Sequence, residues 1–110
     1  MRALPIVMLT LLGGAGTAVA DRELCASGAK FRGAALDLDV KNADIKDVYR
    51  LLADVGKVNL VMADTVNGKV TLRLKRVPWD QIACSIAALN KLRIVVQDSI
   101  LMIDRRSEPK

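Results

Sequence analysis

Histidine is absent from the 110 residues, and the aromatic residues are only Phe31, Tyr49 and Trp79. Without histidine the commonest general base and the commonest metal ligand are missing. The two cysteines, Cys25 and Cys84, would need carboxylates to complete a zinc site. There is no glycine-rich phosphate loop, and Ser85 and Thr71 have no candidate base near them in sequence. Asp37 with Asp39 reads as a pair of solvated strand charges. The chain is therefore read as a non-enzyme with no cofactor, no metal and no small-molecule substrate. The scarcity of aromatics also leaves little for base stacking. The basic residues are dispersed, so a net charge of +5 is not taken as a nucleic-acid signature.

What remains is aliphatic. The apolar fraction is 52%, ample for the core of one domain. Residues 1–20 read as a signal peptide. Arg2 gives a positive start, Ala3 to Leu12 is apolar, Gly13-Gly14 interrupts it, and Ala18-Val19-Ala20 is a small-x-small cleavage site. The alternative is a retained anchor, for which the apolar run is short and glycine-broken. Residues 21–33 lack periodicity and read as an N-terminal arm. In an exported chain an even pair of cysteines points to a Cys25–Cys84 disulfide. Two unrelated thiols are the other reading.

The folded domain is expected over residues 34–104, with a polar tail at 105–110. Leu36, Leu38 and Val40 alternate with Asp37, Asp39 and Lys41, a half-buried strand. Asn42 is the expected helix N-cap. Ile45, Val48, Leu51, Leu52 and Val55 form the apolar stripe, with Tyr49 at its edge and Gly56 as the left-handed stop. Val58 to Met62 is nearly all apolar and predicts a strand covered on both faces. Asn67-Gly68 is a turn signal. Lys69 to Lys75 then puts Val70, Leu72 and Leu74 on a buried face and Lys69, Thr71, Arg73 and Lys75 on a solvent face. Opposite charges make Asp37 and Asp39 candidate cross-strand neighbours of that basic face.

Pro78 opens a second helix whose stripe is Trp79, Ile82, Ala83, Ile86, Ala87 and Leu89. Cys84 lies about 140° round that helix from Trp79, a placement suited to a bond with the arm. Arg93 to Gln97 and Ile100 to Asp104 read as strands around an Asp98-Ser99 turn without glycine. The expected class is α+β, two amphipathic helices packed with small β-sheets in the order β-α-β-β-α-β-β.

Three linked segments carry a resemblance: NADIKDVYRLLAD, NLVMADTVNGKVTLRL and VPWDQ. Together they resemble the short N-terminal domain shared by secretins and TonB-dependent transducers, in particular that of type IV pilus secretins. The match runs from about Leu36 to Ile103. The resemblance implies two helices flanked by small sheets. It also implies a periplasmic module that docks on other components of an outer-membrane secretion or pilus machine. The 110 residues carry no pore-forming region, so the expectation is a docking module and not itself a pore. Its partners would be proteins, and any membrane association would run through them. The alternative is a transducer-type signalling domain contacting a sigma-regulator. Lys69, Thr71, Arg73, Lys75, Asp37 and Asp39 are the candidate partner-binding residues.

Overall fold

The computed structural model describes residues 22–106. The expected signal peptide over residues 1–20 and the last four residues of the expected tail lie outside the described residues. The elements are β1 (Arg22–Glu23), β2 (Ala35–Asp44), α1 (Ile45–Gly56), β3 (Asn59–Met62), β4 (Lys69–Pro78), α2 (Trp79–Asn90), β5 (Leu92–Gln97) and β6 (Ile100–Arg105). This is the expected α+β order with one addition: part of the arm is a short strand. β1 pairs antiparallel with β5, and Leu24 next to it is buried in the core.

Two sheets result. One is four-stranded in the order β1-β5-β6-β3, with β3 parallel to β6 and the other pairs antiparallel. The other is the antiparallel ribbon β2-β4. The turn after β3 lies at Asp64-Thr65, where the Val66 amide donates to the Ala63 carbonyl at 3.0 Å, and not at Asn67-Gly68 as expected. No hairpin forms, because β3 and β4 belong to different sheets. Instead the Gly68 carbonyl accepts the Ile45 amide at 3.0 Å, so this loop docks on the start of α1. The helices pack on each other, and each touches a strand of both sheets. Their apolar faces, Ile45, Val48, Tyr49 and Leu52 on one and Ile82, Ala83 and Ile86 on the other, fill the space between the sheets.

Three details of the helices differ from expectation. Asp44, not Asn42, caps α1, its Oδ1 accepting the Lys46 amide at 2.9 Å. Asn42 is still in β2, in the left-handed region. Leu51 is 41% exposed and Leu89 72%, so neither belongs to its helix's buried face. At about 100° per residue Leu51 lies some 120° from Ile45, and the buried arc runs through Tyr49 and Ala53 instead.

Gly56 is the last residue of α1, and the left-handed cap is Lys57 at φ 57°. The glycine is required for a different reason. A Cβ there would press into the Trp79 indole, within 2.6 Å of Cζ2. A Cβ on Gly33 would meet the same indole as well as Asp80 Oδ1, at 2.9 Å. Trp79 is thus held close to two bare backbones, one from the arm and one from α1. Helix propensity favours alanine over glycine by about 1 kcal/mol, but overpacking a core costs about 1–3 kcal/mol. The rigid indole decides the sign. Gly56→Ala is expected to lower stability by about 1–2 kcal/mol in urea unfolding followed by the fluorescence of the single tryptophan. A raised midpoint would contradict the close approach.

Tyr49 is fully buried, and its hydroxyl donates to the Ala83 carbonyl at 3.0 Å, tying α1 to α2. Burial pushes its pKa well above the ordinary tyrosine value. An unfolded tyrosine ionises above about pH 10, and the folded one does not. The contribution to stability is therefore complete below pH 10 and is lost as pH rises beyond it. Because Tyr49 is the only tyrosine, absorbance reads it alone. Tyrosinate is expected to appear together with loss of tertiary structure. Ionisation near pH 10 in the folded protein would overturn the assignment.

Candidate docking surfaces

The β2-β4 ribbon carries the candidate residues named from the sequence. Leu38, Val70 and Leu72 face the core, while Asp37, Asp39, Lys69, Thr71, Arg73 and Lys75 are exposed. Asp39 and Arg73 are register partners, as are Asp44 and Lys69. The predicted adjacency of the acidic and basic strands is therefore present. The basic face is partly offset by the carboxylates beside it.

The ribbon is interrupted twice, between Leu36 and Leu38 and between Val40 and Ala43. Each interruption places one non-glycine residue in the left-handed region, Arg76 at φ 57° and Asn42 at φ 54°. Each is held by a side chain on the strand opposite. Asp37 Oδ1 accepts the Arg76 amide at 2.9 Å, and Thr71 Oγ1 accepts the Asn42 amide at 3.0 Å. A bulge leaves one residue out of the ladder, and here its amide is satisfied by an oxygen from across the ribbon. Asp37 and Thr71 thus shape the ribbon. Arg73, Lys75 and Lys69 remain as its cationic face.

A second surface was missed. The apolar run at 58–62 predicted a strand covered on both faces, but Val61 is 54% exposed. β3 is an edge strand with β6 on one side only. Lys46 and Arg50 of α1 line a groove of about 320 Å³ with Leu60, Met62, Ala63 and Asp64. On the other face of β3 a depression of about 330 Å³ is lined by Val61, Val95 and Met102 among others. The available signal was Lys46 and Arg50 themselves, two cations four residues apart on one side of a helix.

The cysteines are joined. Cys25 and Cys84 form a disulfide with a Cα–Cα distance of 5.5 Å, linking the arm to the side of α2 away from its core stripe.

Comparison with known proteins defines the class first. The N0 domain of the type II secretin from enterotoxigenic Escherichia coli superposes with a TM-score of 0.59 over 66% of this chain and 95% of that one. At 17% identity this likeness concerns the fold. The domain has the secretin N0 fold. No protein-family model matches the chain.

Sequence relatives narrow this further. The type IV pilus biogenesis and competence protein PilQ of Neisseria meningitidis is 37% identical over 78 residues, 71% of this chain. The fimbrial assembly protein PilQ of Pseudomonas aeruginosa is 47% identical over 51 residues. The type IV competence pilus secretin PilQ of V. cholerae, seen by electron cryomicroscopy, is 32% identical, with a TM-score of 0.55 over 62% of this chain and 16% of that one. The described domain is a secretin N-terminal domain of the type IV pilus kind. The chain spans only 10% of the length of the Neisseria relatives it matches.

Proposed function

We propose that this protein is a periplasmic interaction module that docks within a type IV pilus secretin machine. The supporting observation is the coincidence of an N0 fold with 37% identity to PilQ over 78 residues. The match to pilus secretins favours this reading over the transducer alternative. In this reading residues 1–20 direct export and are removed after Ala20, leaving residues 21–33 as an arm before the domain of residues 34–104. N-terminal sequencing of the exported protein should then begin at Asp21, and an intact Met1 in the membrane fraction would refute it.

The β4 face is the proposed contact, with Lys69, Arg73 and Lys75 steering an acidic protein partner toward the ribbon. Thr71, Asp37 and Asp39 complete that face. Reversing Arg73 and Lys75 to Glu leaves Val70, Leu72 and Leu74 untouched, so the fold survives. The expected result is slower association with the partner recovered by periplasmic crosslinking. Binding of the parent should also weaken as salt rises, since exposed charges are screened within about 10 Å at 0.1 M. Equal kinetics for parent and folded double variant, at low and high salt, would remove this face from the interface.

A further inference from the structure

β3 has an open edge. The amides of Asn59 and Ala63 donate to carbonyls of Ser99 and Ile103 on the β6 side. In a strand the alternate residues point the other way, so the backbone groups of Leu60 and Met62 face outward from the sheet. An unpaired edge of this kind is a template for another strand. The opposite edge of the same sheet is β1, only two residues long and tied to β5 by the Glu23–Arg93 ion pair at 2.9 Å, and so short an edge offers little template.

The surroundings of the β3 edge are asymmetric. On one face Val61, Met102 and Val95 are register neighbours across three strands and make an apolar row. On the other face lies the groove walled by Lys46 and Arg50. Among the described residues neither cation has an ion-pair partner, and Asp64 is the one carboxylate lining the groove. A strand added to this edge alternates its side chains between those two faces. Its complement is therefore apolar on one side and acidic on the other.

We propose that the open edge of β3, with Lys46 and Arg50 beside it, takes up an extended segment of a partner protein that alternates apolar and acidic side chains. The proposal rests on the docking reading and adds a second contact to it, distinct from the β4 face. Main-chain bonds to residues 60 and 62 supply affinity, the apolar row receives one set of side chains, and the two cations select for carboxylates.

The test uses the exported chain and two synthetic eight-residue peptides, one alternating valine with glutamate and one valine with lysine. Amide exchange is followed by NMR, with affinity measured in parallel. The glutamate peptide is expected to bind and to slow exchange at the Leu60 and Met62 amides. It should bind the folded K46E/R50E variant about tenfold more weakly, two reversed exposed charge contacts being of that order. Val61→Asp, at a solvent-facing position, should also weaken it. Three results would overturn the proposal: no binding, equal binding of the lysine peptide, or protection confined to β2 and β4. If the peptide fails while the crosslinked partner still binds, the edge is excluded and the docking reading stands. If the partner binding is also absent, both fall.

Discussion

Leu52→Ala is expected to destabilise the domain by about 2–5 kcal/mol, while Leu51→Ala, one position earlier, changes stability by about 0.5 kcal/mol or less. Both residues are leucines in the same helix, adjacent in the amphipathic segment VYRLLADV. They differ in what surrounds them. Leu52 is fully buried in the cluster with Ile45, Val48, Tyr49, Ile82 and Ile86. Truncating it removes methyl groups from contact and leaves a cavity that rigid helix–helix packing cannot close. Leu51 is 41% exposed, so truncation leaves solvent where solvent already was. Lys46→Ala is expected to behave like Leu51→Ala, because its side chain contributes to the groove and not to the core. Urea midpoints for the three variants and the parent give the answer. A Leu51→Ala loss equal to that of Leu52→Ala would mean that α1 is rotated about its axis relative to this structure.

The same pair explains how much of the fold was legible in the sequence. Periodicity identified both helices, because five apolar positions at 3–4 residue spacing outweigh any single misassigned one. It did not centre the buried arc, because Leu51 counts as apolar while Ala53 and Tyr49 are weak in that count. The strand β4 was legible for the reason β3 was not. Seven residues, Lys69 to Lys75, alternating between polar and aliphatic fix both the element and its faces, whereas a short run with Asn59 as its one polar residue looks alike on a covered and an exposed strand. Sheet membership was out of reach for a different reason. An Asn-Gly pair records only a local change of direction, and the partner of β3 is β6, some forty residues later. The adjacency of β2 and β4 was legible through charge, as Asp39 opposite Arg73 shows. The bulges were not, since their left-handed residues are Asn42 and Arg76 and not glycine. What makes those conformations tolerable is an oxygen on the other strand.

Replacing both Cys25 and Cys84 by serine is expected to lower stability by about 2–4 kcal/mol. The bond spans 59 residues, and closing a loop of that length removes about 4 kcal/mol of chain entropy from the unfolded state in the entropic account. The smaller value applies if the arm frays locally when released. Beside the cysteine its other attachments are two ladder pairs between β1 and β5, the Leu24 amide bonded to Ile94 at 3.0 Å, and the Glu23–Arg93 ion pair, while at its far end the Gly33 amide donates to Asp80 Oδ1 at 3.3 Å. The ion pair is half exposed on both sides and is worth little by itself. Burial of Leu24 is the stronger hold, and it acts on the residue directly beside the cysteine. Cys84 is only partly buried, so serine there adds little cost of its own, and the measured loss reports the bond. Intact mass of periplasmic material should rise by two hydrogens on reduction. Two thiols freely alkylated before reduction would show that the bond does not form. Amide exchange at Leu24 separates the two sizes of effect. If that amide exchanges as slowly in the serine variant as in the parent, the arm stays docked and the full entropic loss is expected in the urea midpoint. If it exchanges at the rate of an unfolded chain, the native arm has been released first, and the edge of β5 at Val95 and Val96 is left open like that of β3.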